Sequence, residues 1–434
     1  MTRLVSFFVL LLAVAVSGQQ GADQTLAGLK PAPGLGVTLF AAEPDVQNPT
    51  NLTVDERGRV WVLEGVNYRR QSRMQPDLRP EGDRIVILED TDNDGKSDRT
   101  KVFDQGPHLR VPLGIAVLGD RVFLSQSPEI TVYTKDQNDN ILKKEVLLTG
   151  FGGVDHDHGL HAVVFGPDGK LYFNHGNTGF DITDKSGKRY VSQGTAADGN
   201  REGYFQGVAL RMNLDGTNLE VLSQNFRNPY ELAVDSFGNV YQTDNDDDGN
   251  EQVRLKYLVE GGNYGFRGPL NRTWLEDRGT HWHQELPGVM PNLLRLGAGS
   301  PCGLLVYEGT LLPAKYRGQV FHAEAGKRIL AMYTISNEGA GYRAVSEDVL
   351  NMGADTWSRP SDAAVAPDGA VFVADWYDPG VGGHNMGDLE GNRGRIYRLA
   401  PTGHRPVVPE LDLTSDAGLT AAFASPNQTR QYLV

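Results

Sequence analysis

An all-β fold, a six-bladed β-propeller with a short C-terminal helical tail, is what this sequence predicts, and three observations carry the prediction. A unit of two alternating apolar strands joined by an Asp/Gly turn recurs six times along the chain. The copies are spaced by roughly 50 to 80 residues, the length a four-stranded blade needs. Strand-like segments flank the repeats and can pair, which closes a ring and removes its free sheet edges.

Taken in order, Arg3 precedes the apolar run Leu4 to Val16, and the small residues Ala15, Ser17 and Gly18 follow. That is the pattern of a secretory signal over residues 1–18, and the run is too short to span a bilayer comfortably. An exported chain is the expectation, with an uncleaved anchor as the alternative. Gln19 to Gly34, rich in Gly, Ala and Pro, reads as a linker without fixed structure. The propeller is expected over 35–401. Its repeats are Leu52 to Val62, Ile115 to Leu124, the hairpin Val163 to Phe173 around Gly166-Pro-Asp-Gly169, Leu232 to Tyr241, and Ala364 to Val373. A degenerate fifth copy, Tyr316 to His322, follows the apolar strand Gly303 to Tyr307. Val37 to Ala41 and Arg395 to Leu399 are the expected closing partners. Over 402–434 the pattern turns helical: Ser415 or Thr414 is the N-cap, with Leu419, Ala422 and Phe423 at helical spacing. Either this segment docks on the propeller, or it begins a helical domain of a longer protein.

The 434 residues carry 41 Lys and Arg against 55 Asp and Glu, a formal charge of −14, which repels phosphate backbones and excludes nucleic acid as the expected partner. Cys302 is the single cysteine, so no intrachain disulfide or thiolate cluster forms. No Cys-x-x-Cys-His stretch is present, so the chain attaches no c-type haem.

Chemistry concentrates at the third hairpin. His158 and His175 stand at its two ends, with His156 and His161 beside them, so groups able to take a proton near neutral pH share one rim. Two acidic loops are candidate cation sites. Asp90, Asp92, Asp94 and Asp98 follow the rhythm of a calcium loop, but Lys101 occupies the twelfth position, so the loop is either an isolated calcium turn or a plain solvated one. Asp244, Asp246, Asp248 and Glu251 repeat the spacing after the fourth repeat, close to Arg227-Asn-Pro229. Crowded carboxylates repel unless a cation offsets them, and an oxygen shell favours Ca²⁺.

These residues resemble a known family. The chain is similar to the soluble, pyrroloquinoline-quinone-dependent glucose/sorbosone dehydrogenases, which are six-bladed propellers. It resembles more closely the dehydrogenase-like domain of exported planctomycete-type proteins that continue into helical repeats and a c-type cytochrome domain. The likeness covers roughly Gly34 to Pro401. It implies a catalytic base at His158, contacts to quinone and substrate from Arg227 and Asn228, and a calcium loop from Asp244 to Glu251 ahead of Gly261-Gly-Asn-Tyr-Gly265. More loosely, it implies quinone contacts from Lys327 and Arg359. Where the family has the second arginine of an Arg-x-Arg pair, this chain has Ser361.

The implied activity is oxidation of a carbohydrate or alcohol hydroxyl. Ca²⁺ and pyrroloquinoline quinone would be the cofactors, and an external acceptor such as a c-type cytochrome would take the electrons onward. Two other readings stay open. A calcium-dependent sugar lactonase would use a channel metal with Glu64 or Asp244 but leaves His158 and Arg227 without a task. A non-catalytic binding propeller is favoured by the missing arginine.

Overall fold

The computed structural model describes residues 18–155, 158–192, 203–245, 252–266, 281–297, 299–381 and 391–434. The strands form six blades in a ring. The innermost strands are, in order, Pro49–Val54, Gly114–Leu118, Leu160–Phe165, Leu232–Val234, Pro301–Tyr307 and Pro360–Val365. Each is followed by antiparallel neighbours that build the blade outward. The repeating turn after the innermost strand has one cause. In blades 1, 3, 4 and 6 it ends on Gly58, Gly169, Gly238 and Gly369, all with φ between 77° and 90°, a left-handed region that a side chain disfavours.

Blade 6 is completed from both ends of the pattern. Leu35–Ala42 pairs antiparallel with Arg395–Pro401, as the flanking strands predict. Apolar alternation on both faces of each strand then makes sense, because every blade is covered on two sides. Six separate clusters of buried apolar side chains result, one in each gap between neighbouring blades.

A ring of side chains also ties the innermost strands together. Asn51 Oδ1 accepts from Ile115 N at 2.8 Å, Asp362 Oδ2 from Leu52 N at 2.7 Å, and Glu231 Oε2 from Leu304 N at 2.7 Å. Each bond joins a blade to the next one round the ring.

Two segments differ from expectation. Residues 19–34 are ordered: helix α1 (Ala22–Gly28) packs against the propeller, and Lys30–Pro31 adds to the outer edge of blade 5. Thr25 Oγ1 donates to Asp355 Oδ2 at 2.6 Å and Gln20 O accepts from Arg393 and Arg395, while Leu29 and Ala32 are buried in the blade 5–6 cluster, so polar contacts and apolar packing together fix the segment. The C-terminal tail docks, which was one of its two predicted fates. Helix α2 (Asp416–Phe423) is capped by Ser415, whose hydroxyl accepts from Gly418 N. Ala422 is buried but Phe423 is exposed. Helix α3 (Gln428–Tyr432) carries the docking: Asn427 Nδ2 donates to Val54 O and Val365 O, Thr429 Oγ1 to Val117 O, and Gln428 Nε2 to Val234 O. These carbonyls occupy equivalent positions at the ends of four innermost strands, so the tail plugs one end of the central channel.

Candidate active site at the open channel mouth

The other end of the channel is a cavity of about 110 Å³ lined by Thr50, Tyr68, Asn228, Tyr230, Cys302, Arg359, Ser361 and Trp376, among others. Its position follows from the topology. All six innermost strands start at this end, so residues just before a first strand, and just after a second, meet here. His158, Arg227, Asn228 and Arg359 all hold such positions.

His158 is buried, and its Nδ1 lies 2.6 Å from Asn177 Oδ1 across the hairpin. A carbonyl oxygen only accepts, so Nδ1 carries the proton and Nε2 keeps its lone pair. Asn177 in turn donates its backbone N–H to Arg227 O at 3.0 Å, which joins the blade 3 hairpin to the segment ahead of blade 4. Thr178 Oγ1 adds a bond to His158 O at 2.7 Å.

Asp244 has a task its place in an acidic loop does not suggest. Its oxygens accept from Arg227 N at 3.1 Å, from Asn228 N at 2.8 Å, and from Arg254 Nη2 at 2.7 Å and Nε at 3.1 Å. Both partners of this ion pair are fully buried. The carboxylate anchors the Arg227-Asn228 segment, and these contacts occupy its lone pairs. Asp246, Asp248 and Glu251 lie outside the described residues, as does His156. The first acidic loop is at the opposite end, because the third strand of a blade runs parallel to its first. There Asp90, Asp92 and Asp98 bring oxygens within 4.8 Å of one another, and Asp94 is not part of the group.

Arg359 lines the cavity, and the charges of Asp378, Asp375 and Asp355 act on its buried guanidinium. Its Nη atoms donate to Ser358 O and Pro379 O, both at 3.0 Å, its Nε is buried without a partner, and no carboxylate forms an ion pair with it among the described residues. Burial, with Arg328 nearby, lowers its pKa. Asn228 Oδ1 is likewise buried and unpartnered. Ser361, in place of a second arginine, donates to Pro49 O at 2.6 Å. Lys327 sits at the same end with its ammonium turned onto Leu296 O, and like His158 and Arg227 it is not among the residues lining the cavity. Glu64 is bound by Arg79 and Arg84 and has no open side for a metal.

Several lining residues carried no sequence signal. Trp376 meets Tyr68 edge-on at 5.6 Å between ring centres, forming an aromatic wall. Tyr230 stacks on His161 and donates its hydroxyl to Thr50 O at 2.6 Å across the channel, which floors the cavity. Beneath that floor Glu231 and Asp362 form a fully buried carboxyl pair. Only the ring closure brings these positions, 131 residues apart in sequence (362 − 231), together.

Comparison with known proteins agrees with the fold. The sequence profile described as Domain of unknown function (DUF7133) matches residues 22–403. Quinoprotein glucose dehydrogenase B of Acinetobacter calcoaceticus is 27% identical over 192 residues, which is 39% of this chain and 39% of that enzyme. The PQQ-bound aldose sugar dehydrogenase of Streptomyces coelicolor aligns with a TM-score of 0.56 at 18% identity, over 85% of this chain and 100% of that one. The calcium structure of a Trichoderma reesei family AA12 carbohydrate-active enzyme gives 0.57 at 12% identity, over 86% and 97%. At such identities the structural likeness establishes the propeller.

Proposed function

The chain belongs to the family described as Domain of unknown function (DUF7133), and from that premise we propose that its propeller is an exported quinone-dependent dehydrogenase acting on a sugar or alcohol hydroxyl. One observation carries the reading. A buried histidine with its Nδ1 held by Asn177 stands at the same channel mouth as a buried arginine that forms no ion pair among the described residues. The partial sequence likeness to a quinoprotein glucose dehydrogenase supports it.

The residues present fit an acidic, planar cofactor. Arg359 offers charge, and Trp376, Tyr68 and Tyr230 offer flat apolar walls. Pyrroloquinoline quinone, when bound there, supplies an acceptor for the electron pair that leaves the substrate carbon as hydride. His158 takes the hydroxyl proton at Nε2, and Asn177 keeps the ring in the tautomer that can do so. Arg227, anchored through its backbone by Asp244, adds positive charge at the rim. Calcium belongs to the same proposal, with its ligands on the loop after Asp244.

No helix among the described residues is long and apolar enough to cross a membrane. The test is reconstitution of the purified protein with pyrroloquinoline quinone and Ca²⁺, followed by dye reduction with a panel of aldoses and alcohols. Dye reduction that depends on added quinone is expected. Quinone that fails to bind would leave a binding propeller, and lactone hydrolysis without quinone would point to a hydrolase.

A further inference from the structure

Arg359, Trp376, Gly380 and Val381 supply one side of the mouth cavity. Hydrogen bonds make them one unit. Arg359 N donates to Asp375 Oδ1 at 2.7 Å, Trp376 N donates to Arg359 O at 2.9 Å, and Arg359 Nη2 donates to Pro379 O at 3.0 Å. Where the guanidinium and the indole stand therefore depends on the course of the chain just after Asp375.

That course is not one the backbone takes by itself. Tyr377 has a φ of 57°, a left-handed conformation that a bulky side chain disfavours, so its partners must hold it there. Its ring is buried outside the cavity, and the guanidinium carbon of Arg395 lies 3.7 Å from the ring centre. The Tyr377 hydroxyl accepts from Gln20 N at 2.7 Å and lies 3.1 Å from Asp355 Oδ2. Arg395 is fully buried and donates to Gln20 O at 2.6 Å and to Thr25 Oγ1 at 2.8 Å. Thr25 closes the circuit through its own bond to Asp355 Oδ2. The far end of the connection between Asp375 and Arg395 is held as well: Gly391 O accepts from Gln19 Nε2 at 2.6 Å, and Arg393 Nη1 donates to Gln20 O at 2.7 Å. Polar groups at this depth lose much when one partner leaves, because no water replaces it.

We propose that residues 19–25 are a strap that sets the ligand-facing wall of the mouth, with Tyr377 and Arg395 as the positioning residues through which it acts on Arg359 and Trp376. Neither of these two residues, nor any residue of the strap, lines the cavity. An acidic planar ligand meets the guanidinium and the indole together, so a wall that is formed only part of the time binds it more weakly by that fraction. The identity of the ligand rests on the function proposed above; the strap itself does not.

Two variants of the full chain test it. Tyr377→Phe keeps the ring on Arg395 and removes the hydroxyl, while Thr25→Val keeps the volume and removes the bonds to Asp355 and Arg395. In hydrogen exchange, the amides of residues 376–380 should exchange about tenfold faster in both variants, with those of Val371–Asp375 unchanged. Equilibrium dialysis should show both variants binding pyrroloquinoline quinone about tenfold more weakly than the wild-type protein. Unchanged exchange at 376–380 in either variant overturns the proposal, and so does faster exchange with unchanged quinone affinity. A wild-type protein that binds no quinone removes the cofactor reading, and the exchange comparison then decides the strap by itself. If Thr25→Val does not fold, Tyr377→Phe decides.

Discussion

At the residue scale, the mouth depends on pairs rather than single side chains. In the proposed reaction His158 serves as a base only while Asn177 keeps the proton on Nδ1. Replacing His158 by Ala should lower kcat of the quinone-loaded protein by about 10²- to 10⁴-fold. Asn177→Leu should lower kcat with KM little changed and should alter the pH profile, read from initial rates of dye reduction across pH. The buried carboxyls under the Tyr230 floor lead to a separate expectation. Burial first, then the neighbouring Asp362, pushes Glu231 well above the ordinary carboxylate range; burial pushes Asp362 up to about 7, against hydrogen bonds from Glu231, Leu52 N, Ala363 N and Asn51. The folded state therefore holds a proton that the unfolded chain releases above about pH 4. The stability tied to that proton is complete below the unfolded value and is lost as pH rises through about 7. Thermal melts should show the unfolding midpoint falling from about pH 5 to about pH 8, with a shallower fall in Asp362→Asn. Gly303 is part of this arrangement, since a Cβ there would come within 2.0 Å of Asp362 Oδ1.

At the element scale, the short helix α3 does what its length alone does not suggest. Five residues cannot hold a helix in water, so tertiary bonds must. Asn427 caps the helix by accepting from Arg430 N at 3.0 Å and also donates to two strand-end carbonyls. Asn427→Ala should destabilise the protein by about 1–3 kcal/mol, from a lost cap and two lost bonds to strand-end carbonyls, of which Val54 O keeps a longer bond from Thr429 Oγ1. Denaturant melts measure this, and a change under about 0.5 kcal/mol, the range of an ordinary surface substitution, would show that the tail merely rests on the ring.

At the scale of the whole molecule, closure decides stability. The strand Leu35–Ala42 covers the edge of Arg395–Pro401 and places Phe40 and Ala41 in the gap between blades 6 and 1. Deleting residues 18–42 should leave an open sheet edge and an unfilled gap, giving a protein that elutes as aggregates in size-exclusion chromatography. A monodisperse, folded product would show that the ring closes without its shared blade.

The repeats, the Asp/Gly turns and the closing strands were legible in the sequence, because alternation of side chains and the left-handed glycine are local properties that each blade states for itself. The rim position of His158, Arg227, Asn228 and Arg359 was legible too, since a propeller sends every first-strand start to the same end. The sequence did not reveal that Asp244 is an anchor, that Lys327 turns away, or that residues 19–34 are ordered. Nor did it show that Glu231 meets Asp362. In most of these cases the deciding atom belongs to another blade, and for Asp244 it lies on the next strand and on the segment leading into its own blade. Local pattern fixes which strands form and which way they run, whereas the partner of a buried polar group is set only when the ring closes and brings distant segments within hydrogen-bonding distance.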